Sequence, residues 1–106
     1  MRFDKQFLMK AVPNAILKYE NFPRYLQISV DSRTINTDDV FVALKGKRVD
    51  GHDFISEVLA KGAVGLIIEE SKLAALAKID HSLLTDKLVV IVQDTMQALI
   101  QLATAW

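Results

Sequence analysis

The stretch Ile28–Glu70, ISVDSRTINTDDVFVALKGKRVDGHDFISEVLAKGAVGLIIEE, decides the fold. Ile28 and Val30 alternate with polar neighbours, and the polar run Asp31-Ser32-Arg33-Thr34 follows them. The short side chains of Asn36-Thr37-Asp38-Asp39 bond their own backbone and compete with a ladder, so this segment is a turn. Val40-Phe41-Val42-Ala43-Leu44 is a short apolar run of β-branched and aromatic residues, long enough for one buried strand. Gly46 and Gly51 bracket the basic loop Lys47-Arg48-Val49-Asp50. Beyond it Phe54, Ile55, Val58 and Leu59 recur at helical spacing, and Gly62 stands where a helix needs a left-handed residue to stop. Val64 to Ile68 closes the unit as a second buried strand. Strand, helix and buried strand in that order are most economically a right-handed parallel crossover.

Outward from this core, Tyr25 to Asp31 alternates as a strand. Asp4 to Val12 places Phe3, Phe7, Leu8 and Ala11 on one face of a short helix ended by Pro13. Asn14 to Arg24 is mixed, with room for a short strand at Ala15-Ile16-Leu17. Ser71 is a candidate N-cap for a helix over Lys72 to Lys78, with Leu73, Leu76 and Ala77 inward. Ile79 to Lys87 reads as a surface connection. Leu88 to Val92, LVVIV, is apolar throughout, as a parallel strand covered on both faces should be. Asp94 caps the last helix, Gln97 completes a capping-box pattern, and Met96, Leu99, Ile100, Ala103 and Trp106 form its apolar stripe. That stripe runs to Trp106 without a stop signal, which is expected of a segment cut from a longer protein. The order is α/β: a mostly parallel sheet of about four to five strands with helices on its faces.

The 106 residues suffice for one domain, with half of them apolar and a quarter charged, as in ordinary globular chains. Thirteen basic residues balance thirteen acidic ones, so bulk charge offers nothing to a nucleic acid. No cysteine is present, which removes disulfides and thiol nucleophiles and fits a reducing cytoplasm. The N-terminus has charges breaking every apolar run and is not a signal peptide, and no apolar run is long enough for a membrane.

Few residues offer catalysis. His52 and His81 lack the paired spacing of a metal site, and His52 at a helix start reads as capping or structural. Ser32 lies in D-S-R rather than in a nucleophile elbow. Gly46 to Gly51 has the spacing of a phosphate loop, but His52-Asp53 occupy the places of its lysine and hydroxyl residue, so ATP hydrolysis by this chain is not expected. A binding surface survives. Ser32 and Arg33 follow one strand, Lys47 and Arg48 the next, and ligands of open α/β sheets bind beyond the carboxyl ends of strands. Four such groups suit a small anion such as a diphosphate. Alternatively Arg33 pairs with Asp31 or Asp50 while Lys47 and Arg48 are a solvated loop tip, and the residues alone favour this second reading. Asp31, Asp38, Asp39 and Asp50 read as turn formers.

Taken together and in order, D-S-R, F-V-A-L-K-G, D-G-H-D-F, G-A before an apolar strand, and V-x-D-T-x-x-A-L-x-x-L-A resemble the N-terminal domain of the Mur ligases. These are the ATP-dependent enzymes that build the peptidoglycan peptide stem. The similarity is strongest over Ile28–Glu70 and weakest before Tyr25. Within the family it leans to the branch joining D-alanyl-D-alanine to UDP-MurNAc-tripeptide, with the branch adding the third stem residue next.

The resemblance implies a domain, over residues 1–106, that binds the UDP end of a UDP-MurNAc-peptide in the cytoplasm. It carries over Val30, Ser32, Lys47, Arg48 and Val49 as ligand contacts, with Arg33 and Asp50 shaping their loops. It places ATP, magnesium and D-alanyl-D-alanine on other domains, and no catalytic residue or metal ligand in this one. A non-catalytic nucleotide-sugar-binding module is the rival from another class.

Overall fold

Alternation along Val40-Phe41-Val42-Ala43 sends successive side chains to opposite sides of a sheet, and both sides are buried. A computed structural model describes residues 1–106. In chain order the elements are β1 (Arg2–Phe3), α1 (Lys5–Ala11), β2 (Ile16–Glu20), β3 (Leu26–Ser29), β4 (Asp39–Val42), α2 (Ile55–Ala60), β5 (Gly65–Glu69), α3 (Ala74–Ala77), β6 (Leu88–Val92) and α4 (Thr95–Ala105). The six strands form one sheet in the order β1-β3-β4-β5-β6-β2. The four central strands run parallel, and β1 and β2 close the edges antiparallel.

Three successive crossovers, β3 to β6, step in one direction along the sheet. With a common hand, their connections stack on one face. There Ile35, Ile55, Val58, Leu76 and Leu84 pack on Phe41, Leu66, Ile68, Val89 and Ile91. Helices α1 and α4 lie outside that run and cover the other face. Leu8, Val12, Ala98 and Leu102 meet Val40, Val42, Ile67, Leu88, Val90 and Val92 there. Each fully buried Leu, Ile or Val contributes about 1.5–3 kcal/mol over its exposed state. Gly62 ends the α2 segment at φ +101°, and its carbonyl accepts the Asp38 N–H at 2.9 Å. A Cβ there would meet Thr37 at 3.0 Å.

Six strands replace the expected four to five, and the reasons are local. β1 is a two-residue edge pairing Arg2 with Gln27 and Phe3 with Leu26, too short to carry a period. Phe3 is therefore a strand residue rather than part of the first helix face. β2 runs on to Glu20, its register shifting between Leu17 and Tyr19, which breaks the alternation that would reveal it.

Three further expectations need correction. Ser71 caps nothing: Glu70–Lys72 is a 3-10 turn, α3 is four residues long, and of the three expected inward residues only Leu76 is buried. Ile79 to Lys87 is more than surface, since Leu84 is buried among the polar residues of a turn over His81–Leu83. On α4, Asp94 does accept the Gln97 N–H at 3.0 Å, but the buried face is Thr95, Ala98 and Leu102. Met96 and Ile100 are each 50% exposed. Both faces of this helix are apolar enough to satisfy a helical period. The small Ala98 and Thr95 permit the close approach to the sheet.

Candidate functional site

The carboxyl edge of the parallel strands is built from what β3 and β4 become after they leave the sheet. Beyond β4 the chain makes a finger. Lys45 bridges Asp50 in antiparallel fashion, the Gly46 N–H donates to the Val49 carbonyl at 2.8 Å, and the Gly51 N–H donates to the Leu44 carbonyl at 2.8 Å. Lys47 and Arg48 form the tip. Both are exposed, as is Val49 beside them. Gly51 is required at the base, because a Cβ there would lie 2.8 Å from the Leu44 nitrogen.

Asp50 fastens the finger. One carboxylate oxygen accepts the His52 backbone N–H at 3.0 Å and contacts the His52 ring Nδ1 at 2.7 Å, and the other meets the Lys72 ammonium at 3.2 Å. Burial pushes the Asp50 carboxyl up, but the two His52 bonds and Lys72 outweigh it and hold it down at about 2. His52 is buried, and its Nε2 accepts the Glu69 backbone N–H at 3.0 Å at the end of β5.

Beyond β3 the chain turns instead of projecting. Asp31 takes both the backbone and the guanidinium of Arg33, which lowers its carboxyl to about 2. Ser32 is buried, and its carbonyl accepts from Lys61 Nζ at 2.8 Å, so the turn is tied back to the end of α2. Val30 is exposed on the approach.

The five sequence-derived ligand contacts thus occupy two neighbouring strand exits, but no hydrogen bond joins the finger to the Asp31–Arg33 turn. The lysine and arginine ion pairs are Arg33–Asp31, Lys61–Glu57, Lys72–Asp50 and Lys87–Asp86, leaving Lys47 and Arg48 uncommitted. Val30, Ser32, Lys47, Arg48 and Val49 line none of the cavities beside α1, α2, α3, α4 and the β1–β3 edge. Val30, Lys47, Arg48 and Val49 form an open surface, with Ser32 buried in the turn beside it.

Lys61 and Lys72 escaped sequence reasoning. Each is a single lysine in a helix-end context, and only the fold brings it to Ser32 or Asp50. The role of His52 was half visible: D-G-H indicated a cap, but its partner Glu69 is seventeen residues away.

Gly46 to Gly51 is a β-hairpin rather than a phosphate cradle, with buried His52 where a phosphate lysine would reach out. Nor do three or more His, Asp and Glu side chains gather as metal ligands anywhere in the chain. No helix is long and apolar enough to cross a membrane.

Comparison with known proteins settles the kinship. Residues 24–106 match the family model described as "Mur ligase family, catalytic domain". The chain belongs to the Mur ligase family. Its Mur ligase relatives include the UDP-N-acetylmuramoyl-L-alanyl-D-glutamate–2,6-diaminopimelate ligase of Clostridium perfringens, 35% identical over 92 residues, or 87% of this chain and 17% of the relative. The UDP-N-acetylmuramoyl-tripeptide–D-alanyl-D-alanine ligase of Treponema pallidum is 36% identical over 77 residues, covering 73% of this chain and 17% of that one. Among solved structures, MurF from Acinetobacter baumannii superimposes with a TM-score of 0.75 at 29% identity, over 99% of this chain and 21% of that one. The chain therefore spans about a fifth of the length of the Mur ligases it matches.

Proposed function

We propose that this chain is the substrate-recognition domain of a cytoplasmic peptidoglycan-precursor ligase and holds the UDP end of a UDP-MurNAc-peptide. The observation that carries this is the basic finger. Lys47 and Arg48 are exposed, unpaired and presented at the carboxyl edge of a parallel sheet, beside the exit of β3. An uncommitted ammonium and guanidinium suit a diphosphate, which offers several anionic oxygens within a short span. Val30 and Val49 add exposed apolar surface for a base or sugar face, and Ser32 holds the intervening turn.

No reacting group need lie in this chain. In a ligase of this kind, ATP and magnesium activate the peptide carboxylate elsewhere, and the amine that attacks it is chosen elsewhere. For the full enzyme we favour addition of D-alanyl-D-alanine to UDP-MurNAc-tripeptide, supported by alignment with MurF over 99% of this chain. Addition of the third stem residue to a dipeptide precursor is the second reading, supported by the diaminopimelate-adding relative that aligns over 87%.

Calorimetric titration tests the proposal. UDP and UDP-MurNAc-tripeptide should bind and ATP should not. Lys47→Ala and Arg48→Ala should each weaken UDP by at least about tenfold, the loss of one charge-assisted hydrogen bond. Equal affinity in wild type and both variants would reject the finger as the site. Tighter binding of the dipeptide precursor than of the tripeptide would favour the second reading.

A further inference from the structure

Strand β4 pairs with β5 only as far as Val42, opposite Ile67, with one more bond from the Ala43 N–H to the Ile67 carbonyl at 3.0 Å. The β4 chain then departs into the finger. The next β5 amide that should face it, Glu69 N–H, has lost its backbone acceptor. His52 Nε2 supplies one at 3.0 Å. A nitrogen that accepts a backbone N–H carries no proton of its own. The imidazole proton is therefore on Nδ1, which donates to Asp50 Oδ1 at 2.7 Å. One buried ring joins the end of β5 to the residue that closes the hairpin, and Asp50 continues the chain to Lys72, just beyond β5. The finger is clipped to the sheet at its base while its tip is free.

We propose that His52 is the positioning residue of the basic finger: its ring replaces the missing rung of the β4–β5 ladder and thereby fixes the direction in which Lys47 and Arg48 are presented to an anionic ligand. This rests on the reading of the finger as a ligand contact and deepens it. A tip held in one direction binds without first losing its own freedom, so disturbance of a residue that never touches the ligand lowers affinity. The bond to Glu69 matters more than the bond to Asp50, because only the former reaches the sheet.

Two isosteres separate these arms. In His52→Gln the side-chain oxygen lies as many bonds out as Nε2 and can accept from Glu69, while the donor to Asp50 is gone. In His52→Asn the amide nitrogen replaces Nδ1 toward Asp50, while the acceptor for Glu69 is lost. Amide hydrogen exchange and UDP titration are measured on the 106-residue chain for wild type and both variants. In His52→Asn, exchange at Glu69, Gly46 and Gly51 should quicken by about tenfold or more, with Val40–Val42 and Leu88–Val92 unchanged. UDP should weaken by about tenfold, and His52→Gln should stay within about threefold of wild type on both counts. Unchanged finger exchange in His52→Asn, exchange raised equally throughout the sheet, or undiminished UDP affinity would overturn the inference. If the exchange pattern appears but wild type ignores UDP, the clip stands and the UDP reading of the finger falls.

Discussion

The Arg33 guanidinium closes on the Asp31 carboxylate at two points, Nε to Oδ1 at 3.1 Å and Nη2 to Oδ2 at 2.9 Å, while the Arg33 backbone N–H donates to the same Oδ1 at 2.9 Å. The arginine is 85% exposed yet engaged within its own turn. Its planar fork is what permits the double contact. Arg33 therefore differs in kind from Lys47 and Arg48: it shapes a loop, and they are available.

The pairing has a spectroscopic consequence. Asp31 should titrate at about 2 in the intact protein. In Arg33→Ala its side-chain hydrogen bonds are gone, and its midpoint should rise toward the ordinary carboxylate value of 3.8. Carboxyl carbon NMR against pH reads this directly. Because Arg33 is largely exposed and the pair is open to water, thermal stability should hardly change.

Asp50 makes the opposite prediction about stability, since its side chain is only 16% exposed. Its folded pKa is depressed from 3.8 to about 2, so its stabilisation is fully present above 3.8 and is lost as pH falls through about 2. The shift corresponds to about 2 kcal/mol. Asp50→Asn should lose about that much at neutral pH and show a flatter acid-side decline than wild type, measured by urea unfolding at a series of pH values.

At the base of the finger, Gly51→Ala forces a Cβ to within 2.8 Å of the Leu44 nitrogen and 3.0 Å of its carbonyl oxygen. Backbone atoms cannot step aside as a flexible side chain can. A loss of about 1–3 kcal/mol is expected by chemical denaturation, with Lys45 and Asp50 resonances moving most. An unchanged unfolding midpoint would show that the base yields to the added methyl group.

Opposite faces of α4 give the sharpest contrast. Leu102 is fully buried, and Leu102→Ala should cost about 2–5 kcal/mol. Ile100→Ala, two residues away on the exposed face, should cost about 0.5 kcal/mol or less. Thermal and urea unfolding of the two variants decide which face carries the packing.

That helix also shows where sequence reading stops. The central unit from β3 to β5 was legible, because each strand is a short apolar run and each boundary carries turn chemistry, ending in the left-handed Gly62. The face of α4 was not legible, because Met96, Ile100 and Ala103 satisfy the helical period as well as Thr95, Ala98 and Leu102 do. Choosing between them requires knowing that the sheet demands small residues at close approach. Strand β1 was invisible for a different reason: two residues have no period, and only pairing with Gln27 and Leu26 makes them a strand.

The candidate site divides in the same way. Lys47 and Arg48 could be picked out as basic residues between glycines, and both are free in the fold. What holds them depends on partners distant in sequence, Lys72 for Asp50, Glu69 for His52 and Lys61 for Ser32. No local pattern encodes such pairs, because the chain meets itself only after the sheet has formed.

The most direct test of UDP binding at the basic finger is an amide NMR titration of this chain with UDP, with ATP as the control. If the finger and the neighbouring turn hold UDP, shifts will cluster at Val30–Arg33 and Gly46–Asp50, growing with UDP and absent with ATP. A folded spectrum in which those amides stay still at millimolar UDP, corresponding to binding weaker than about 4 kcal/mol, would contradict it. So would shifts that cluster on another part of the sheet.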